Sequence, residues 1–538
     1  MPSSSPAAAP TRTSTTRSSV RWWREARRTR VESDYIRRIL SASVYDIAVE
    51  TPLERMERLS ERLGIDVLLK REDLQPVFSF KIRGAYNRIA ALTGEQRASG
   101  VICASAGNHA QGVALSAARL GTRAVIVMPK TTPSIKIEAV RAMSGEVVLF
   151  GDNFDAARAH AGEIAEQERL IFVHPFDDPD VIAGQATIGV ELLRQHSGPL
   201  GAIYVPVGGG GLAAGIAAYV KFLRPEVKVI GVEPEDAASM KAAIAAGHPV
   251  TLDRVGIFAD GVAVRRVGDE TFRLCNALLD GIVTVTTDEI CAAIKDIFDD
   301  TRAIAEPAGA LALAGLRRHV ADGAAPAGPL LAINSGANVN FDRLRHVAER
   351  AEIGERGEAL LAVTIPEQPG SYKAFIRLLG DRAITEFNYR YATGSTAQIF
   401  VGVKLKGGDR EKQQILDLLA GEGLSVVDMT DNELAKLHVR YMVGGRAADA
   451  EDEVLYRFQF PERPRALLDF LEGLQPDWNI SLFHYRNHGS DYGRVLAGIQ
   501  VPVAERQAFL AALDRLGYDY SEETANPAYR LFLDSRGA

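Results

Sequence analysis

The stretch AIYVPVGGGGLAAG, residues 202–215, carries a short run of strand-forming residues through four consecutive glycines into an alanine-rich helical pattern. A strand over 202–207 that turns directly into a helix starting at Leu212 is the repeating unit of a sheet whose crossovers are helices. Gly208, Gly209, Gly210 and Gly211 let successive backbone amides converge on one point. The helix start adds a positive partial charge, so the turn is a cup for a phosphate. No Lys-Ser/Thr pair follows it, which excludes a Walker loop.

Outward from this turn the same alternation continues. RAVIVMP, EVVLFG and LIFVHP precede it, KVIGVEP follows it, and each apolar run is followed by a helical segment. With further strands near Val101 and over 331–333, the pattern predicts a doubly wound, mostly parallel α/β sheet over residues 34–350, in two α/β subdomains. Ligands in such sheets lie beyond the carboxyl ends of the strands, so motifs there carry the most weight.

Composition narrows the partners. The chain has 538 residues, too many for one ordinary core, and its formal charge of -7 leaves no basic stripe for nucleic acid. Cys103, Cys275 and Cys291 are far apart and form no Cys/His ligand spacing, which fits a reducing cytoplasm and argues against disulfides or structural zinc. No apolar run reaches transmembrane length, and no partner membrane is expected. Residues 1–33 are rich in Ser, Thr, Ala and Arg and read as a disordered extension, with a transit peptide as the other reading.

Past residue 358 the chain repeats itself. LAVTIPEQPGSYKAFIRLLG and EFNYRY correspond to YRFQFPERPRALLDFLEGL and LFHYRNH, with the Pro-Glu pairs 95 residues apart and the Tyr-Arg pairs 96 apart. Each copy reads strand, turn, helix, strand, strand, helix: two small α+β units over 359–432 and 454–526 that suit binding or assembly.

Three further motifs sit at strand ends. In PVFSFKIRGAY, residues 76–86, Lys81 stands near a helix start, flanked by Phe78 and Phe80. Apolar enclosure lowers a lysine pKa and frees a neutral amine for imine formation or proton abstraction. In CASAGNHAQG, small residues and free amides at a helix start suit a carboxylate, and Asn108 can bond a ring hydroxyl or simply cap the helix. In INSGANVNF, Ser335 ends a strand, where its hydroxyl can bond an aromatic nitrogen without forcing protonation. Together with the glycine cup these are the parts that hold pyridoxal 5'-phosphate and an amino acid. A nucleotide-dependent oxidoreductase is the competing reading, because Gly208, Gly210 and Ala213 fit G-x-G-x-x-A and Glu233 ends the next strand. It leaves Lys81 unexplained. A non-catalytic amino-acid sensor built on the repeats is a third.

SFKIRGAYNRI, SAGNHAQGVA, PVGGGGLAAG and NSGANVNF resemble the fold-type II pyridoxal-phosphate enzymes, and the paired repeat narrows the resemblance to the threonine dehydratase family. That likeness implies L-threonine as substrate, with L-serine as a possible second, and 2-oxobutanoate and ammonia as products. It makes Lys81 the Schiff-base lysine and Cα base. Asn108 contacts the cofactor 3'-hydroxyl, the amides of Gly208 to Leu212 hold its phosphate, Ser335 its pyridine nitrogen, and Phe80 lies beside the ring. Ser105, Ala106, Gly107, Asn108 and His109 hold the substrate carboxylate. The repeats are then ACT-like regulatory domains for isoleucine and an opposing valine, with Glu367, Gly370, Asn388 and Tyr389 as effector residues, in a homotetramer. Arg465 stands where Gly370 does in the first copy, which sets the second apart. Some members of the family bind a cation near Glu233 and Ala237. Ser239 replaces the carboxylate expected there, and His484 and His488 do not converge on a strand, so no metal is expected.

Overall fold

The computed structural model describes residues 34–533 apart from 342, 355, 367–370, 381, 383, 390–395, 440–451, 462–468, 471–472, 476–477, 479 and 487–491. The extension 1–33 lies outside the described residues.

Two parallel sheets make up the first part of the chain. The larger has the order β1-β2-β10-β7-β8-β9. Its strands are β1 (Leu53–Arg55), β2 (Val67–Arg71), β7 (Ala202–Pro206), β8 (Lys228–Pro234), β9 (Gly281–Val285) and β10 (Leu330–Asn334). Only the edge pair β1–β2 is antiparallel. The smaller sheet has the order β5-β4-β3-β6 and is parallel throughout. Its strands are β3 (Val101–Ala104), β4 (Ala124–Met128), β5 (Glu146–Leu149) and β6 (Ile171–Phe172). The central strands β3, β4, β7 and β10 are buried along their whole length, as strands covered by helices on both faces must be. The alternation in the sequence therefore resolves into two sheets rather than one, and the predicted loops stand at strand ends of both.

The remaining strands form two sheets of one design. The first has the order β12-β13-β11-β14, from β11 (Glu358–Pro366), β12 (Ile384–Tyr389), β13 (Thr396–Lys404) and β14 (Ser425–Asp428). The second has the order β16-β17-β15-β18, from β15 (Glu453–Pro461), β16 (Ile480–Arg486), β17 (Tyr492–Gln500) and β18 (Asp519–Glu522). Both are antiparallel, and both carry a register irregularity at the same place, between Ile384 and Glu386 and between Ile480 and Leu482. Strand alternation sends side chains to two faces. On one face of each copy, Leu361, Val363, Ile399 and Val401, or Tyr456, Phe458, Val495 and Ala497, pack against that copy's own helices. On the other, Leu360, Ala362 and Phe400 meet Leu455 and Leu496, so the two sheets cover each other. The fourth strand of each copy was not expected from the sequence.

A helix over Arg343–Gly354 joins the two parts of the chain. Its Arg350 is buried in a ring of charges. The guanidinium bonds Asp288 Oδ1 at 2.5 Å and Glu433 at 2.7 and 3.1 Å, and Lys436 Nζ bonds Asp288 Oδ2 at 2.6 Å and Glu433 at 3.2 Å. Asp288 belongs to the first part of the chain, whereas Glu433 and Lys436 belong to the first copy.

Candidate active site

Lys81 is the first residue of the helix Lys81–Ala90. The turn before it is stitched to the loop after β10: Ser79 bridges Gly336, Phe80 N donates to Ser335 O at 3.2 Å, and Ala337 N donates to Phe78 O at 2.9 Å. Behind Lys81 lies a buried quartet of charges. Arg83 bonds Glu72 at 2.7 and 2.8 Å and Glu191 at 2.6 and 3.0 Å, and Lys70 bonds Glu191 at 2.6 Å. These bonds tie the Lys81 helix to the helix Pro179–Gln195. The Lys81 amine donates to Pro175 O at 2.9 Å and stands 5.3 Å from the centre of the Phe80 ring. Burial lowers its pKa to about 8, and the charge of Glu306 opposes the shift. Phe80 supplies the expected apolar neighbour. Phe78 does not: it is 56 % exposed, with a left-handed backbone at φ 54°.

The glycine turn lies across the cleft. Thr271 Oγ1 donates to Gly209 O at 2.6 Å, and Cys275 Sγ donates to Gly210 O at 3.7 Å, so both carbonyls face the helix Asp269–Leu278. In a trans peptide the next N–H points the opposite way, which aims the amides of Gly210 and Gly211 away from that helix. The helix begins at Gly211, so the first amides after it have no intrahelical partner either. A Cβ on Gly209 would lie 2.2 Å from the Phe176 ring, and Gly210 has φ +95°. Both positions require glycine.

Asn108 opens the helix Asn108–Arg119, with Gly107 at the cap position. Its side chain is not a cap. Nδ2 donates to Glu306 Oε1 at 2.6 Å, and Oδ1 accepts from Asn338 Nδ2 at 2.7 Å. Ser335 is buried, and its hydroxyl donates to Ala308 O at 3.2 Å. Phe80, Lys81, Asn108, Gly208 to Leu212 and Ser335 thus line one cleft between the two sheets, together with Pro175, Phe176, Gln185, Gly261, Val262 and Glu306.

Of the loop assigned to the substrate carboxylate, Asn108 alone lines this cleft. His109 turns its ring away from the cleft, which leaves its backbone amide as the group it can offer there. Its ring is buried, Nε2 bonds Val173 O at 3.0 Å, and burial holds its pKa down at about 3, which makes it a neutral core side chain. Ser105 Oγ is used locally, accepting from Gly107 N at 3.3 Å. Ser105, Ala106 and Gly107 flank the cleft in sequence.

Sequence reasoning missed Glu306. It precedes Pro307 at the head of the helix Pro307–Ala321, and its carboxyl is pushed up to about 7, chiefly by burial and secondly by Asp260. A glutamate before a helix-opening proline is the signal that AEPAG offered. Asn338 lay unremarked in the NSGANVNF motif.

The effector assignments fall elsewhere. Glu367 and Gly370, like Arg465, lie outside the described residues. Asn388 and Tyr389 occupy β12, opposite Phe400 and Ile399 of β13. Glu233 is fully buried and accepts from Met240 N at 2.7 Å and Lys241 N at 2.9 Å. Its two oxygens cap a helix and are not free for a ribose, which removes the main support for the nucleotide reading. No group of three or more potential metal ligands occurs among the described residues, and none of their helices is long and apolar enough to cross a membrane.

The donor set fits pyridoxal phosphate: an enclosed amine of lowered pKa, an amide cradle at a helix start that a Cβ would fill, and a hydroxyl rather than a carboxylate at the end of β10. Comparison with known proteins agrees. Residues 44–336 match the family of pyridoxal-phosphate dependent enzymes, and residues 349–439 and 444–533 each match the C-terminal regulatory domain of threonine dehydratase. The chain is 58% identical over 506 residues to the biosynthetic L-threonine dehydratase of Burkholderia multivorans, spanning 93% of this chain and 99% of the relative. It is 54% identical over 502 residues to the chloroplastic biosynthetic enzyme of Arabidopsis thaliana, spanning 93% and 84%. Among solved structures, the processed threonine deaminase isoform 2 of Solanum lycopersicum matches with a TM-score of 0.58 at 52% identity, over 60% of this chain and 93% of that one.

Proposed function

This chain belongs to the threonine dehydratases, and from that premise we propose that it deaminates L-threonine to 2-oxobutanoate and ammonia, under control by branched-chain amino acids. The observation that carries the reading is the convergence of Lys81, Asn108, the Gly208–Leu212 turn and Ser335 on one cleft.

Pyridoxal phosphate, when bound, supplies an electron sink for the charge left at the substrate Cα. The chain's own residues do the rest. The Gly208 to Leu212 amides would hold its phosphate, Lys81 its aldehyde carbon, Asn108 its ring hydroxyl and Ser335 its pyridine nitrogen. The Ser335 hydroxyl, unlike a carboxylate, would not force a proton onto that nitrogen, so the group held there would supply a moderate electron sink. Once the substrate amine has replaced it at the aldehyde carbon, the freed Lys81 amine would serve as the base for the Cα proton. A lowered pKa keeps a useful fraction of its amine neutral near neutral pH. Glu306 and Asn338 fix the Asn108 amide from both sides. Amides of the Ser105–His109 loop remain the proposed contact for the substrate carboxylate.

The two C-terminal copies we assign to isoleucine as inhibitor and valine as opposing ligand, in a cytoplasmic homotetramer. Their match to a regulatory domain family and their charged ring at the Arg343–Gly354 helix support a coupling role.

Purified protein should be yellow, borohydride should fix the cofactor on the peptide containing Lys81, and threonine should give 2-oxobutanoate. A colourless protein that binds NAD would overturn the reading. Isoleucine should inhibit the full chain and leave a chain lacking residues 359–538 unaffected.

A further inference from the structure

One carboxylate outside the cofactor contacts joins three separate parts of the molecule. Asp260 opens the short turn Asp260–Val262. Its next two residues line the cofactor cleft: a Cβ on Gly261 would lie 3.6 Å from Glu306 Oε1 and 3.9 Å from Asn108 Nδ2, and a Cβ on Gly208 would lie 2.8 Å from Val262 Cα. Movement of this turn therefore moves a wall of the cleft against both the ring-hydroxyl residue and the phosphate cradle.

Asp260 Oδ2 accepts from Lys136 Nζ at 2.8 Å. Lys136 lies on the helix Ser134–Ala142, which packs on β5 and on the helix Asn108–Arg119 and so belongs to the smaller sheet. The bond thus spans the cleft between the two subdomains. Asp260 Oδ1 accepts from Arg343 Nη1 at 3.3 Å, and Arg343 Nη2 donates to Phe258 O at 2.5 Å. Arg343 is the first residue of the helix whose Arg350 sits in the buried ring with Glu433 and Lys436 of the first regulatory copy. Seven residues make about two helical turns, so the two arginines share a face about 10 Å apart.

Both ends of the helix are built alike. The side chains of Arg343 and Arg350 are each 8% exposed, and the carboxylates that carry them to other parts of the molecule, Asp260 at 34% and Glu433 at 40%, reach the surface.

Resting on the function proposed above, we propose that Asp260 is a positioning residue for the reaction, its carboxylate shared between Lys136, which closes the cleft, and Arg343, which brings in the state of the regulatory copies. It acts through Gly261 and Val262 and touches no reacting atom.

Two variants of the full-length holoenzyme test the two halves. Lys136→Met should raise KM for threonine about three- to fivefold with kcat less affected, the size expected for an exposed pair, and Lys136→Arg should restore it. An unchanged KM in Lys136→Met would overturn the closure half. In Arg343→Met, the isoleucine concentration for half inhibition, taken against that variant's own uninhibited rate, should rise at least about tenfold. Calorimetry should still show the wild-type stoichiometry of isoleucine binding, and Arg343→Lys should recover part of the inhibition. Normal inhibition of Arg343→Met would overturn the regulatory half alone. A wild-type chain that does not bind isoleucine would overturn that half together with the regulatory reading. Retention of the bound cofactor's visible absorbance in each variant separates these outcomes from misfolding.

Discussion

At the scale of single residues, two buried titratable groups of opposite kind face the cleft. Lys81→Ala should abolish turnover while leaving the isoleucine response of binding intact, as calorimetry would read it. Glu306 makes a prediction about pH. Its carboxyl titrates near 7 in the folded chain, above its ordinary value of 4.5. Between those two values the native state holds a proton that the unfolded state has lost, so this group's contribution to stability falls as pH rises from 4.5 to 7. The full span is on the order of 3 kcal/mol. Glu306→Gln should flatten that slope in urea denaturation of the cofactor-free protein. Lys81, Asn108 and Ser335 were legible because each sits in a short run whose neighbours share its role. Glu306, Phe176 and Gly261 were not, since their place in the cleft is fixed only when the smaller sheet, which carries β6, faces the larger, which carries β7 and β10.

At the scale of elements, the turn before the helix Gly211–Leu223 and the helix Lys81–Ala90 carry the site. Gly209→Ala would drive a methyl into the Phe176 ring. Cofactor titration followed by visible absorbance should show at least a tenfold loss of affinity, about 1.4 kcal/mol or more. Arg83→Met would leave Glu72 and Glu191 buried, each having lost two of its four hydrogen bonds. Loss of one member of a buried ion network costs about 3–5 kcal/mol, readable as a lower urea midpoint with unchanged slope. The strands with strong apolar runs were legible. Edge strands were harder: β14 and β18 read Ser-Val-Val-Asp and Asp-Tyr-Ser-Glu, four residues long with polar residues at two and three positions, and only pairing with β11 and β15 makes them strands. Phe78 misled for a related reason. A left-handed backbone turns its side chain to solvent, and no local pattern announces that conformation.

At the scale of the whole molecule, the described contacts that join the catalytic sheets to the paired copies include the Arg343–Gly354 helix, the charge ring around Arg350 and the Arg254–Asp519 ion pair. Glu433→Ala would leave Arg350 and Lys436 facing each other across Asp288. Scanning calorimetry should then resolve two unfolding transitions where the intact ring gives coupled melting, because the junction loses the contacts that make the parts cooperate. The sequence announced two copies through their matched motifs. It could not say that Leu360 and Phe400 meet Leu455 and Leu496, since a face that packs on another sheet and one that packs on helices read alike as alternating apolar residues.

The register irregularity shared by β12 and β16 makes the two copies equivalent down to one slipped residue. The faces that cover each other are equivalent as well, Leu360 with Leu455 and Phe400 with Leu496, so the contact between the copies is pseudo-symmetric, the counterpart within one chain of a self-complementary dimer interface. The charge ring breaks that symmetry: Glu433 and Lys436 of the first copy form it with Arg350 and Asp288, so a pair of near-equals meets the rest of the molecule unequally.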